Sequence, residues 1–182
     1  MIFEKTVTLK DGRNCLLRNG VTSDGKAVLD VFNRTHEETD YLLTYSDENR
    51  FTASQEADFL QRKTDSANNV EIIAVVDDVV AGTAGIDALG MRDKIKHRAV
   101  FGIAITKEFW GLGIGKYLME ACIECAREAG YLQLELEVVA ENERAVEMYR
   151  RAGFIEYGRN PKAFRLRTGE YQELIDMRLE LK

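Results

Sequence analysis

Residues 102–116, with the sequence GIAITKEFWGLGIGK, decide the fold of this chain. An apolar run that suits a buried strand leads into a turn with glycines at 111, 113 and 115, and a helical pattern follows. The start of a helix has backbone N–H groups without intrahelical partners and carries the positive end of the helix dipole, so it attracts phosphate. Glycines let the phosphate approach because no Cβ stands in the way. The stretch therefore predicts a phosphate-binding strand, turn and helix.

Two common phosphate-binding loops do not fit the spacing of this turn. A Walker A loop requires glycine where this chain has Trp110, and serine or threonine where it has Tyr117. The third glycine of a dinucleotide fingerprint would fall on Lys116 or Leu118, and that fingerprint is expected in the first βαβ unit of a chain. A nucleoside triphosphatase and a dinucleotide-binding protein are both disfavoured.

The segment Trp110–Gly115 instead resembles the Arg/Gln-x-x-Gly-x-Gly/Ala pattern of the GNAT superfamily of acyl-CoA-dependent N-acyltransferases. Trp110 departs from that pattern, which has Arg or Gln at this position. We expect its ring to pack on the sheet or on the adenine side of the cofactor and to contribute no charge to the pyrophosphate. The resemblance implies that the bound phosphate belongs to acetyl-CoA, used as a co-substrate.

The residues after the turn predict an amphipathic helix, a C-cap at Gly130 and a strand that alternates apolar and polar residues. Strand, turn, helix and strand form one βαβ unit, so its two strands should be parallel. The predicted buried faces consist of Ile114, Leu118, Ala121, Cys122, Cys125 and Ala129 in the helix, and of Leu132, Leu134, Leu136 and Val138 in the strand.

A second motif follows in residues 142–154. It predicts a short helix capped by Asn142 and ended by Gly153, with an apolar stripe through Ala145, Tyr149 and Ala152. The spacing Asn-x-x-Ala-x-x-x-Tyr-x-x-x-Gly-Phe is similar to the GNAT segment that forms the far wall of the acyl-CoA site. The two motifs together are far more specific than either alone.

The resemblance implies a set of cofactor contacts. The main chain of the strand before the turn would pair with the pantetheine arm, and one N–H would polarise the thioester carbonyl, which lowers such a barrier by about 3 kcal/mol. The turn would hold the pyrophosphate, and the capping Asn would bond the cofactor, although helices often begin with Asn for local reasons alone. The matching residues are Ile103, Ala104, Ile105, Gly111, Leu112, Gly113, Ile114, Gly115, Lys116, Asn142 and Tyr149.

The resemblance also implies an acid and a base. Tyr149 matches the tyrosine that lies near the cofactor sulfur and protonates the leaving thiolate, and a phenol is protonated at neutral pH as this requires. The apolar period of the helix alone predicts that Tyr149 is an aromatic residue of the core. Glu137 lies at the splayed end of its strand, where several GNAT enzymes have a glutamate that deprotonates the amine through water and others have none. The alternative for Glu137 is a carboxylate that merely lines a wet cleft.

The remaining segments complete the predicted fold. Residues 5–18 predict a hairpin with a type I′ turn at Asp11–Gly12, residues 71–86 a hairpin around Asp77–Asp78, residues 97–105 a third strand and residues 169–181 a closing strand. One helix is expected after Ser23–Asp24 and another after a cap at Ser54. Together with the resemblance, these segments predict a single domain over residues 1–182 with an α/β (α+β) fold. Its central sheet is expected to be mixed and mostly antiparallel, with helices on both faces. One parallel βαβ unit is expected to form a V-shaped cofactor cleft. The expected inward-facing helix residues are Val28, Leu29, Phe32, Ala57, Phe59 and Leu60.

The acceptor is the part of the reaction that the sequence describes least. Residues 37–48 lie where GNAT helices cover the acceptor cleft, and carboxylates beside aromatic faces suit a cationic amine. We therefore name Glu38, Tyr41 and Tyr45 as substrate-binding candidates, with solvated acidic residues in a helix connection as the alternative. The expected partner is a small-molecule amine or a protein amine, with a homodimer as a further option.

Composition narrows the function classes. The formal net charge of −6 argues against a nucleic-acid binder, which needs a basic face. The cysteines at 15, 122 and 125, with two histidines in the chain, suggest neither a disulfide framework nor an ordinary zinc site, so no metal is expected. No apolar run reaches the roughly 18 residues of a membrane helix, and the N-terminus lacks the pattern of a secretory signal, so a cytoplasmic location is expected.

Two function classes other than an enzyme stay open at this stage. A module that binds acyl-CoA without turning it over would require the glycine turn but not the side chains of Tyr149 and Glu137. A scaffold without a ligand would have little use for three glycines at the start of a helix.

Overall fold

In residues 1–181, which the computed structural model describes, eight strands form one sheet. Four α-helices accompany them within the same residues. The strands, numbered in chain order, are β1 (Glu4–Thr8), β2 (Asn14–Asn19), β3 (Val70–Val76), β4 (Val79–Ala88), β5 (Arg98–Ile105), β6 (Gln133–Val139), β7 (Ile155–Arg165) and β8 (Tyr171–Glu180). The helices are α1 (Gly25–Glu38), α2 (Ala53–Asp65), α3 (Ile114–Glu128) and α4 (Glu143–Arg151).

The order of strands across the sheet is β1-β2-β3-β4-β5-β6-β8-β7. Every neighbouring pair is antiparallel except β5 and β6, which are parallel, so the predicted βαβ unit and the predicted fold class are confirmed. The pairing of β5 with β6 ends at Val100 opposite Glu135, although both strands continue. The two strands part beyond this point, and a V-shaped opening lies between residues 101–105 and 136–139.

Helices cover both faces of the sheet. Side chains of a strand alternate between its faces, and on β3 Ile72 and Ala74 join the core that contains α3 and α4, while Ile73 packs with α1 and α2. On β6, Leu136 belongs to the α3 and α4 core, so Glu137 points to the opposite face. The opening between β5 and β6 is therefore accessible from two differently built sides.

The buried surface of α3 is wider than the predicted stripe. Met119, Ile123 and Ala126 are buried as well, because α3 packs across strands β2 to β5 rather than along a narrow seam. Leu132, predicted on the buried face of the next strand, is 59% exposed. The strand begins one residue later, and Leu132 is held through its backbone: its N–H donates to the His97 carbonyl, and its carbonyl accepts from the Leu181 N–H.

Two local predictions were wrong in detail. Asp11–Gly12 does not form a two-residue turn, since only Gly12 has a positive φ, of 89°, and residues 10–12 form the loop. A type I′ pattern of two positive φ angles occurs instead at Asp77 and Asp78, with φ of 50° and 64°. The second helix is capped by Thr52 rather than Ser54: the Thr52 hydroxyl accepts from the Gln55 N–H, and the Gln55 carboxamide accepts from the Thr52 N–H.

The C-terminal part of the sheet has a strand that the sequence analysis did not predict. β7 is an edge strand whose residues are mostly exposed, and its partner β8 separates it from β6. The predicted closing strand is confirmed as β8, but it lies inside the sheet rather than at its edge. Among the described residues, no helix combines the length and apolar character that crossing a membrane requires.

Candidate active site

A cleft of about 1210 Å³ occupies the opening between β5 and β6. Its walls come from both strands, from α3 and α4 on one face of the sheet, and from the end of α1 and the loop after it on the other. The structure brings together in this cleft most of the predicted site residues, namely Ile103, Ala104, Ile105, Gly111, Gly113, Ile114, Gly115, Lys116, Glu137, Asn142, Tyr149 and Tyr41. The predicted residues that do not line it are Leu112, Glu38 and Tyr45.

The glycine turn has the backbone that the phosphate prediction requires. Gly111 and Gly113 have φ of 88° and 98°, a region that L-residues with side chains rarely adopt. Gly113 is the N-cap residue of α3, so the first free N–H groups of that helix face the cleft. The turn thus presents backbone N–H groups to the cleft, as the phosphate prediction requires.

Gly115 and Leu112 have packing roles that the sequence did not indicate. A Cβ at Gly115 would lie 3.1 Å from the Met148 Sδ, so the small residue lets α3 approach α4 closely. The Leu112 carbonyl accepts a hydrogen bond from the Lys10 N–H at 3.2 Å, which ties the turn to the first hairpin. Leu112 therefore supports the turn from behind, outside the cleft wall.

Trp110 occupies the position at which the GNAT pattern has Arg or Gln, and the structure gives it two contacts. Its indole Nε1 donates a 2.7 Å hydrogen bond to the Ile105 carbonyl, at the end of β5. The Arg144 guanidinium, from the first turn of α4, lies 5.9 Å from the centre of its ring. The ring packs at the end of the sheet, as expected. The sequence analysis missed Arg144, a cation that lines the cleft close to the glycine turn.

The predicted short helix is confirmed as α4, and it positions Asn142 and Tyr149. The Asn142 carboxamide oxygen accepts the Ala145 N–H at 3.3 Å, so it caps the helix. The Tyr149 ring is 6% exposed and lies between Phe101 and Phe154, with ring centres 6.1 and 5.8 Å away. Burial raises the pKa of the Tyr149 hydroxyl well above its ordinary value near 10. Within residues 1–181 the hydroxyl has no hydrogen-bond partner.

Two glutamates of β6 share the face opposite α3, but their surroundings differ. Glu135 is buried and forms a bidentate ion pair with Arg98, whose Nη2 lies 2.6 Å from the carboxylate. This hydrogen bond raises the pKa of the Arg98 guanidinium. Glu137 is exposed, lines the cleft and forms no ion pair with any residue of the described chain. Glu137 is therefore the carboxylate of β6 that is free to meet a ligand.

Glu38 and Tyr45 do not line the cleft, and each forms hydrogen bonds with distant parts of the chain. The Glu38 carboxylate accepts from the Arg34 guanidinium at 3.0 Å and from the Lys107 N–H at 2.5 Å, so it joins α1 to the end of β5. The Tyr45 hydroxyl accepts the Arg167 N–H at 3.0 Å in the turn between β7 and β8. Both side chains hold the wall of the cleft from outside, and only Tyr41 of the three candidates lines it. The sequence could not indicate these contacts because their partners are distant along the chain.

Comparison with known proteins identifies the family. The model of the "Acetyltransferase (GNAT) family" matches residues 30–154, which include both motifs and the strands on either side of the cleft. The chain belongs to the GNAT acetyltransferase family. Membership confirms the resemblance noted in the sequence, the enzyme class of acyltransferase, and acetyl-CoA-dependent N-acetylation as its general reaction.

Individual relatives agree with this assignment. The L-amino acid N-acetyltransferase AaaT of Escherichia coli K12 is 31% identical over 118 residues, which are 64% of this chain and 72% of that protein. A GNAT acetyltransferase from Streptococcus pneumoniae has a TM-score of 0.87 at 27% identity, covering 91% of this chain and 99% of its own. The fold also matches yncA of Salmonella typhimurium, solved with its cofactor acetyl-CoA, with a TM-score of 0.82 at 16% identity and coverage of 93% and 95%.

Proposed function

We propose that this GNAT enzyme moves the acetyl group of acetyl-CoA to a primary amine by direct attack within a ternary complex. The observation that carries the proposal is that Tyr149 and Glu137 reach one cleft from opposite faces of the sheet. The thiolate would leave on the side of α3 and α4, where Tyr149 and the glycine turn lie. The amine would arrive on the other side, where Glu137 is exposed.

The cofactor contacts in this proposal follow from unpaired backbone groups. Beyond Val100 the edge of β5 that faces β6 has no strand partner within residues 1–181. Apart from the Ile105 carbonyl, which accepts from Trp110, its N–H and C=O groups would be available to the pantetheine arm. One N–H of residues 103–105 would polarise the thioester carbonyl. The N–H groups of the glycine turn and the start of α3 would bind the pyrophosphate, with Lys116 and Asn142 at its sides.

The chemical steps then have named donors and acceptors. The amine, an ammonium ion at neutral pH, loses a proton to Glu137 directly or through water. Its nitrogen bonds to the thioester carbon, the C–S bond breaks, and the electron pair of that bond goes to sulfur. Tyr149 donates its proton to the sulfur. After the attack the nitrogen loses a second proton to solvent, and solvent reprotonates Tyr149. The products are the acetylated amine and free CoA thiol.

Arg144 is a further cofactor contact in this proposal, because it is held over Trp110 beside the glycine turn. We expect Arg144→Gln to raise the dissociation constant of acetyl-CoA about tenfold, the effect of losing one charge-assisted hydrogen bond at a partly exposed site. Titration calorimetry measures it. Arg150→Gln is the matched control: Arg150 is on the same helix but pairs with Glu156 at 3.6 Å and does not line the cleft. Equal affinities in the two variants would contradict the role of Arg144.

The role of Glu137 as base predicts a particular pH dependence. We expect Glu137→Gln to lower kcat about tenfold at pH 7, because the acceptor is then almost entirely an ammonium ion. The deficit should shrink as pH rises and disappear near the pKa of the amine, about 10, where free amine is abundant without a base. Rates of thiol release between pH 6 and 10 measure it. A profile parallel to that of the wild type would remove Glu137 from the mechanism.

The proposed reaction as a whole is tested by two measurements on the same protein. Calorimetric titration with acetyl-CoA reports binding, and thiol release over a panel of amines reports turnover. We expect tight binding and thiol release with at least one class of amine. Binding without release for any amine would favour an acyl-CoA-binding module instead.

A further inference from the structure

The basic side chains of the cleft are confined to one of its two sides, where Glu120, Glu141, Glu143 and Glu147 also line it. Four basic side chains line it, and all lie on the cofactor side. Lys10 adjoins the glycine turn through its N–H bond to Leu112, and the others belong to α3 and α4, which pack on one face of the sheet. Among the described residues, the acceptor side of the cleft wall has no arginine or lysine. The four basic residues are Lys10, Lys116, Arg144 and Arg151.

The acceptor side is mostly apolar. Its wall is formed by the loop after α1 and by the parts of β6, β7 and β8 that no helix covers, and it includes Leu43, which is 79% exposed, and Tyr41, which is 37% exposed. Large apolar side chains left exposed at the mouth of a cleft are typical of a binding surface. The residues of this wall are Tyr41, Leu42, Leu43, Val139, Phe164 and Leu174.

Two carboxylates without a basic partner lie beside this apolar wall. Glu137 on β6 lines the cleft, and Asp176 on β8, which is directly opposite it, lies behind the lining. Residues in that relation point to the same face with Cβ atoms about 5 Å apart. Neither forms an ion pair within residues 1–181. Like charges in such a pair repel each other, and an ammonium ion placed near them would relieve the repulsion.

None of the three nearby cations lines the cleft wall: two are already engaged by carboxylates, and the third, Arg165, lies outside the cleft. The Arg167 guanidinium binds Asp47 at 2.7 Å and stacks on Tyr45, with its central carbon 4.0 Å from the ring centre. Arg34 is bonded to Glu38 and Glu108. Arg165 lies at a separate small cavity beside the loop after α1, outside the cleft.

We infer that the acceptor is a primary monoamine whose amino group is attached to an apolar group and has no carboxylate on the neighbouring carbon. This rests on the proposed function. The ammonium lies against Glu137 and Asp176, and the apolar group lies against Leu43, Tyr41 and the adjoining wall. A free amino acid is disfavoured because its carboxylate would be desolvated beside two like charges without a partner. The inferred acceptor class therefore differs from that of the relative AaaT, whose name specifies L-amino acids.

Matched acceptors test the inference with the intact enzyme and saturating acetyl-CoA. Leucine is compared with leucine amide and isoamylamine, and phenylalanine with 2-phenylethylamine, by kcat/KM from thiol release. We expect the acceptors without a carboxylate to be favoured by at least about a hundredfold. A kcat/KM for the free amino acids equal to or higher than that for the other acceptors overturns the inference. If Arg165→Gln then lowers the kcat/KM for the free amino acids, Arg165 is the cation that binds their carboxylate. If only a polyamine is acetylated, the inference that the acceptor carries an apolar group is overturned.

A charge added at the wall gives an independent readout. Leu43→Lys places a cation at an exposed position, and we expect it to reduce the preference for leucine amide over leucine about tenfold. Met91→Lys adds the same charge at a residue that is also 79% exposed and is outside the cleft, and the preference should not change. An unchanged preference in Leu43→Lys counts against the assigned wall. If acetyl-CoA binds but no amine of any kind releases thiol, the proposed function itself fails, which is a different result from a reversed preference.

Discussion

Replacing Gly113 with valine should raise the dissociation constant of acetyl-CoA by about 10²–10³-fold, because two or more charge-assisted hydrogen bonds to the pyrophosphate are lost. Gly113 is the N-cap residue of α3 and has φ of 98°. A Cβ there meets no protein atom closer than the Tyr117 Cε2, at 3.7 Å, so it occupies space in the cleft that the phosphate would use. The branched side chain also disfavours the left-handed backbone on which the direction of the N–H groups depends.

Gly130→Val is the control for this variant. Gly130 follows the other end of the same helix, has φ of 80°, and a Cβ there would have open space around it. Both variants should lose roughly 1–3 kcal/mol of stability from backbone strain. Only Gly113→Val should lose cofactor affinity in calorimetric titration. If Gly113→Val does not fold, Gly113→Ala replaces it, and wild-type affinity in a folded variant would falsify the phosphate assignment.

The parts of the fold that the sequence predicted well have strong local signals. The glycine turn, α3 and the parallel β6 follow from residues that are neighbours in the chain: positive φ angles favour glycine, and helices and strands have different apolar periods. The turn at Asp77–Asp78 was located as the polar pair between two apolar runs, and there two aspartates adopt the positive φ angles. Local patterns of this kind require no knowledge of what packs against them.

The missed features depend on contacts between distant residues. β7 is an exposed edge strand with Pro161 and a bulge after Glu156, so its apolar and polar residues do not alternate clearly. Its position beside β8 is visible only in three dimensions. Glu38 and Tyr45 lie behind the cleft wall, and their partners, Lys107 and Arg167, are 69 and 122 residues away. The acidic and aromatic residues of the segment 37–48 suggested substrate contacts, and in the structure Glu38 and Tyr45 form hydrogen bonds within the chain.

Replacing Tyr149 with phenylalanine should lower kcat by about 10²–10⁴-fold with little change in acetyl-CoA affinity, because the hydroxyl is the proposed donor to the leaving thiolate. The ring contacts with Phe101 and Phe154 are kept. Burial raises the pKa of the hydroxyl above 10, so Tyr149 stays protonated from pH 6 to 10. The wild-type rate should therefore show no alkaline decline from Tyr149 in that range. Single-turnover and steady-state rates of thiol release measure both effects.

Tyr131→Phe separates catalysis from structure. The buried Tyr131 hydroxyl donates to the Asn68 carbonyl at 3.0 Å, so its removal should cost about 1 kcal/mol of stability and leave kcat unchanged. The Tyr149 hydroxyl has no protein partner in the described chain, so Tyr149→Phe should leave the melting temperature nearly unchanged while turnover falls. A variant that loses stability but keeps its turnover would make Tyr149 a core aromatic. The proton for the thiolate would then have to come from water that enters the cleft.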